Sequence, residues 1–146
     1  MPILNYTTQI TVEKTVGQIQ AILAKAGAQA VLIEYDDERV VSSVSFRLMH
    51  NAAMVSFRLP AQLDPIYVIL QRDDAVPRKL KCREQAARVA WRIIKDWVEA
   101  QLAIVDAEQA EMVEVFLPFA QNEKTGKTVF EELEADNFKM LTHQDG

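Results

Sequence analysis

The stretch VSFRLMHNAAMVSFRL, residues 44–59, contains the same pentapeptide twice, at 44–48 and at 55–59. Alternate side chains of a strand point to opposite faces of the sheet. Phe46 and Phe57 therefore fall on the apolar face of a sheet, and Arg47 and Arg58 fall on the other face. A turn at residues 50–52 would pair the two copies as antiparallel strands. We predict a hairpin whose phenylalanines are buried beneath helices.

The sequence before this hairpin predicts one helix and two further strands. Residues 3–10 are rich in β-branched and aromatic side chains, which favours a first strand. Thr11 is a candidate helix cap, and the apolar residues that follow it recur at helical spacing until Gly27. Residues 30–35 form a short apolar run, which predicts a strand that pairs with the extended segment 39–48. The sheet is thus predicted to have about four strands.

The sequence after the hairpin is predicted to be mainly helical. Asp64 and Pro65 start a short helix, and residues 82–105 contain neither proline nor glycine. Residues 106–116 and 128–138 predict further helix. Together these patterns indicate an α+β fold: an antiparallel sheet covered by helices, with a long apolar helix and a helical C-terminal third, in a single domain 1–146.

The long helix has an apolar arc that spans more than half of its circumference. Trp91 and Trp97 lie within this arc, where packing in the core or in an oligomer interface is more common than base stacking. One packing partner does not usually cover so wide an arc. We therefore expect a homodimer or a higher homo-oligomer.

The composition is that of an ordinary globular domain. Of 146 residues, 49% are hydrophobic and 25% are charged, which disfavours both disorder and a membrane span. The N-terminus lacks the features of a secretory signal, and a single cysteine, Cys82, excludes an internal disulfide. We expect a cytoplasmic protein that does not contact membranes.

Charge is unevenly distributed along the chain. Residues 72–95 carry eight basic and three acidic groups, whereas residues 96–146 carry three basic and twelve acidic groups. The basic strip 72–95 could bind phosphate or nucleic acid at the start of the long helix. The charges could equally form a solvated helix face, or patches that attract each other. The candidate anion-binding residues are Arg47, Arg58, Arg78, Lys79, Lys81, Arg83, Arg88 and Arg92.

The sequence carries no recognisable signature of catalysis or of metal binding. His50 and His143 have no plausible zinc partner at helical or strand spacing. The four glycines never cluster into a phosphate-binding loop, and no serine or cysteine lies in the sequence context of a nucleophile. The acidic group at 34–38 is more typical of a solvated turn than of a cation site. We predict a protein without enzymatic activity, metal or cofactor.

The chain resembles a group of small uncharacterised proteins that bacterial phages, prophages and other mobile elements encode. The resemblance covers most of the chain and is carried by residues 4–8, 27–28, 34–36, 57–60, 84–97, 116–118 and Thr128. It implies a mobile-element context, in which small accessory proteins assist replication or block a host defence system by binding. We therefore expect a non-enzymatic accessory protein that binds a partner protein through its sheet face or its acidic C-terminal third. The alternative is a protein that binds phosphate or nucleic acid through the basic strip 72–95.

Overall fold

The fold was analysed in a computed structural model, which describes residues 2–143. Helices pack on one face of a small sheet, with short 3₁₀ turns at Arg78–Leu80 and Leu117–Phe119. The strands are β1 (Ala30–Tyr35), β2 (Val41–His50) and β3 (Ala53–Pro60). The helices are α1 (Val12–Lys25), α2 (Leu63–Arg72), α3 (Arg83–Asp106), α4 (Met112–Phe116) and α5 (Val129–Ala135).

The sheet is antiparallel with strand order β1-β2-β3, and the repeated pentapeptides occupy β2 and β3. Phe46 lies directly opposite Phe57, and both rings are buried. The rings stack with their centroids 5.0 Å apart. Arg47 and Arg58 lie on the opposite face of the sheet, as the alternation of side chains requires. The predicted hairpin is confirmed, including its turn at Asn51 and Ala52.

The prediction of a strand at residues 3–10 is wrong, and the sheet has three strands within residues 2–143 rather than about four. The segment instead bends at Asn5, whose φ is 66°. The buried Gln85 carboxamide of α3 donates hydrogen bonds to the carbonyls of Tyr6 and Thr8, at 2.8 and 2.9 Å. These carbonyls are satisfied by a side chain, so the segment needs no strand partner.

The segment also supplies apolar side chains to a second core cluster. Ile3 and Tyr6 pack against Leu70 of α2, which is fully buried. The β-branched and aromatic residues of this segment are buried against helices rather than in a sheet. Their composition therefore favoured a strand, although no strand forms.

α3 has the predicted length but is amphipathic rather than apolar. It spans 24 residues and packs against both α1 and α2. Its buried side chains are concentrated between Gln85 and Val98, and most of the last two turns is exposed. Charged residues occupy one third of the helix positions, several of them paired with neighbours, and they keep its outer face in water.

The two tryptophans of α3 are accommodated within one chain. Trp91 is 1% exposed, and its indole N–H donates to the Val41 carbonyl of β2 at 3.2 Å. Trp97 is half-buried and meets the rings of Phe116 and Phe119 edge to face. Around the two tryptophans the apolar arc is thus covered by the sheet, the other helices and the segment after α3, whereas Ile104 near the end of α3 is 39% exposed. The width of the arc alone therefore gives no argument for an oligomer.

The C-terminal third is less helical than the sequence predicts. α3 ends at Asp106, a turn follows, and α4 is only five residues long. Phe116, at its end, is fully buried against Phe46 and Phe57. Residues 120–121 then run beside β3, where the Gln121 N–H donates to the Ser56 carbonyl at 2.8 Å.

Candidate protein-binding surface

The face of the sheet that points away from α1 and α3 carries exposed apolar side chains. We call this surface, formed by β1, β2 and β3, the outer sheet face. Leu32, Met49 and Met54 are 60%, 46% and 42% exposed there, and Met49 lies directly opposite Met54. The strand pairing places Ala30, the exposed Arg47 and Ser56 in the row between Leu32 and the methionine pair, so one charged side chain lies among these apolar groups. Exposed apolar groups clustered on one face mark an interaction surface more often than scattered ones do.

A groove of about 380 Å³ crosses this face between β1 and Ser56 in the middle of β3. Its walls include Leu32, Arg47 and Gln121, and its floor is open because Ala30 and Ser45 are small. The groove is large enough for a side chain of a partner protein, although it is at the small end of the range for a drug-sized ligand.

The outer sheet face continues around the tip of the β2–β3 hairpin into an acidic depression. This depression, of about 860 Å³, shares Met49 with the outer sheet face and is also lined by Met112, Glu108, Glu111 and Glu114. Within the part of the chain that the structure describes, neither lysine nor arginine lines it. The methionine pair therefore lies next to a depression whose glutamates make it negatively charged. Such a surface is complementary to a basic partner.

α5 is fastened to the β3 side of the outer sheet face by Arg58. The Arg58 guanidinium contacts a carboxylate oxygen of Glu131 at 2.7 Å. Thr128 caps α5, and its hydroxyl and Glu131 form a reciprocal capping box. The backbone N–H of Thr128 lowers the pKa of Glu131 most, followed by the Thr128 hydroxyl and then by the charge and hydrogen bond of Arg58.

We expect the charge on Glu131 to stabilise the fold in a pH-dependent way. A carboxylate with a lowered folded pKa contributes stability above its ordinary pKa of 4.5, and that contribution is lost as the pH falls through the folded pKa. Glu131→Gln should therefore be less stable than the parent near neutral pH, by about 1 kcal/mol or less for so exposed a pair. The difference should disappear in acid, as measured by urea unfolding across that range.

Glu134→Gln, an exposed change on the same helix, is the matched control and should follow the parent at every pH. A Glu131→Gln variant whose difference from the parent is the same at neutral and acidic pH would contradict this account of the α5 attachment.

The predicted anion-binding residues do not form one surface. Arg47 and Arg58 lie on the outer sheet face, whereas Arg88 and Arg92 lie on α3 behind the sheet. The sheet separates the two groups. Arg58 is already paired with Glu131, so Arg47 is the more accessible of the two arginines on the outer sheet face.

Most of the basic strip is also engaged with neighbours. Arg83 pairs with Asp64 at 2.9 Å, and Lys81 donates to the Gln71 carbonyl at 3.1 Å. Arg88 contacts Gln85 and Glu84, Arg92 donates to Gln18, and Lys95 pairs with Glu99. Among residues 2–143, the side chains of Arg72, Arg78 and Lys79 have no hydrogen-bond or ion-pair partner.

Several residues of the candidate surface were not singled out from the sequence. Leu32 reads as a core position of an apolar strand, and Met49 and Met54 flank the repeat without a motif. The alternation of side chains was the available signal, because it places Leu32, Met49 and Met54 on the same face as Arg47. The pattern could not show that α1 and α3 both pack on the other face of the sheet, which leaves Leu32, Met49 and Met54 exposed.

Comparisons with known proteins give no further guide: no family model matches the chain, and neither a curated protein nor a solved structure does so. Among residues 2–143, no cluster of three or more His, Cys, Asp or Glu side chains is placed to hold a metal ion. Over the same residues, the helices are all too short or too polar to cross a bilayer.

Proposed function

We propose that this chain is a non-enzymatic accessory protein of a mobile element, which acts by binding a partner protein through the outer sheet face. The observation that carries the proposal is the exposure of Leu32, Met49 and Met54 on one face of the sheet. A component of a host defence system is the partner class that the resemblance to mobile-element proteins suggests.

The chemistry of the surface indicates what kind of partner fits it. Methionine side chains are flexible and polarisable, so they adapt to differently shaped apolar groups. The adjoining acidic depression carries Glu108, Glu111 and Glu114. We therefore propose a partner that presents an apolar side chain to the methionine pair and lysine or arginine to the depression. The apolar contact supplies affinity, and the charges direct association and orientation.

The proposal is tested by capture of partners from a nuclease-treated bacterial lysate on the immobilised chain. Met49→Ser/Met54→Ser removes the apolar pair without adding charge and should reduce recovery of a specific partner about tenfold or more, as expected for the loss of two buried apolar contacts. Val68→Ser is the matched control, since Val68 is 53% exposed on α2. It should capture the same partner in unchanged amount.

Binding should also weaken as the salt concentration rises, because the acidic depression contributes to association. The proposed function fails if the double methionine variant and Val68→Ser recover the same proteins in the same amounts. It also fails if everything that is recovered from an untreated lysate disappears on nuclease treatment.

A second candidate function, phosphate or nucleic-acid binding, is favoured by one observation. Within residues 2–143, Arg78 and Lys79 are exposed and unpaired. They lie close in sequence to the N-terminus of α3, which no side chain of the described residues caps. Arg78→Gln/Lys79→Gln should then weaken binding to all nucleic-acid sequences about equally and reduce its salt dependence. With Arg72, the strip has three free cations among residues 2–143, and three cations support only weak binding, so this function ranks below protein binding.

A further inference from the structure

The outer edge of β1 is open. β1 is the first strand of the sheet order, and within residues 2–143 β2 is its only strand neighbour. Even Val31 and Ile33, which point toward the helices, are only half-buried. An edge strand presents unpaired N–H and C=O groups, and natural sheets commonly protect such an edge with lysine, proline or a bulge. Residues 30–33, AVLI, contain neither charge nor proline.

The regular part of β1 is symmetric enough to pair with itself. The pairing with β2 is regular from Ala30 to Glu34 and shifts between Glu34 and Tyr35. Leu32 is the centre of this segment. In an antiparallel pair about a two-fold axis at Leu32, opposite residues share a face, so Leu32 would meet Leu32 of the second copy. Val31 would then lie opposite Ile33, which continues the apolar inner face of the sheet.

This register also brings opposite charges together. Ala30 would lie opposite Glu34 of the second copy, and Ala30 is the direct neighbour of Arg47 on β2. Arg47 and Glu34 of the second copy would thus be two strand spacings apart on the same face, about 10 Å between backbones. The methyl group of Ala30 leaves the space between them free, and long side chains can span it. The symmetry creates this pair twice.

Within one chain the same two residues are far apart. Glu34 lies opposite Ser43 and Arg47 lies opposite Ala30, so they are at opposite ends of the β1–β2 pairing. Both side chains are exposed, and the Glu34 carboxylate accepts a hydrogen bond from the Ser43 hydroxyl at 3.3 Å. The charges are therefore available to a second copy.

We propose that two copies of this chain associate through β1, with Leu32 on the two-fold axis, into a continuous six-stranded sheet. This dimer would use Leu32 and Arg47, which also lie on the outer sheet face, but it requires only a second copy of the chain, so it can be tested without a partner protein. A short strand pair buries little surface compared with a stable dimer interface, so the dimer is expected to form in the micromolar range.

Sedimentation equilibrium of the purified chain alone tests this proposal, from low to high micromolar concentration. Glu34→Arg and Arg47→Glu should each raise the dimer dissociation constant about tenfold, since two attractive pairs become repulsive. The double variant Glu34→Arg/Arg47→Glu restores opposite charges and should return to within about threefold of the parent. Amide exchange at residues 31–33 should slow as the concentration of the parent rises, because the edge becomes paired.

Circular dichroism establishes whether each variant is folded. If a charge-reversal variant is not folded, the neutral single variant at that position, Glu34→Gln or Arg47→Gln, takes its place. Those neutral variants should each weaken the dimer by a smaller factor. The proposal is overturned if the parent stays monomeric at high micromolar concentration. It is also overturned if single reversals leave the dissociation constant unchanged, or if the double variant remains as weak as either single one.

Discussion

Phe57→Ala is expected to lower the free energy of unfolding by about 3–5 kcal/mol, the usual cost of truncating a large aromatic in a packed core. Phe57 is fully buried, stacks on Phe46, and meets the edge of Phe116 with centroids 6.2 Å apart. Its removal therefore opens a cavity between the sheet and α4, which links the hairpin to the C-terminal part of the chain. Urea unfolding followed by circular dichroism measures the loss.

Met54→Ala, on the same strand but on the outer sheet face, is the control. Its side chain is exposed, so we expect a change of about 0.5 kcal/mol or less. The assignment of faces would be contradicted if the two substitutions cost similar amounts, or if Met54→Ala were the more damaging.

Trp91→Ala is expected to be as destabilising as Phe57→Ala, at about 3–5 kcal/mol. Trp91 is the largest fully buried side chain, and it combines packing with a hydrogen bond to the Val41 carbonyl. Trp91→Phe separates these contributions, because it keeps most of the apolar volume but leaves that carbonyl without its donor. An unsatisfied buried carbonyl costs about 1–3 kcal/mol, so Trp91→Phe should show an intermediate loss.

Trp97→Phe provides the comparison on the same helix. Trp97 is half-buried, and a phenylalanine can still meet Phe116 and Phe119. We expect a smaller loss of stability than for Trp91→Phe, measured by the same unfolding experiment. Equal losses at the two positions would contradict the view that α3 is anchored to β2 through the indole of Trp91.

The hairpin was the part of the fold that the sequence predicted best, and the reason is physical. The alternation in the two pentapeptides specifies which face is buried, since a shift of one residue would expose Phe46 and Phe57 together. Thr11 and Gly27 likewise delimit α1 by local chemistry. These features depend on near neighbours in the chain, and they are confirmed.

The errors arose where distant residues decide the structure. The N-terminal segment has the composition of a strand, but the carboxamide of Gln85, almost 80 positions away, satisfies its carbonyls. The width of the apolar arc on α3 suggested that a second subunit covers it, whereas Phe116 and Phe119 of the same chain cover Trp97; the oligomeric state itself stays a prediction. The residues around Trp97 in the sequence do not predict its contact with Phe116 and Phe119.

In the candidate surface too, features that depend on near neighbours were predicted and features that depend on distant residues were not. Alternation was sufficient to place Arg47 and Arg58 on one face, but the pairing of Arg58 with Glu131 spans 73 positions. The basic residues of the strip are close together along the chain. In the folded chain, several of them form ion pairs or hydrogen bonds with residues elsewhere, namely Asp64, Gln71, Gln18 and Glu99. Continuity of charge in the sequence therefore did not predict a continuous charged surface.

The outer sheet face is tested most directly by photo-crosslinking in bacterial cells, with a photoreactive phenylalanine analogue placed at Met54 or at Val68. Both positions are exposed, at 42% and 53%, but Met54 lies on the outer sheet face and Val68 lies on α2. Our account predicts a discrete crosslinked species containing a second, different protein for the probe at Met54, and none for the probe at Val68. Crosslinks of equal yield to the same proteins at both positions, or crosslinking at Val68 alone, would contradict it.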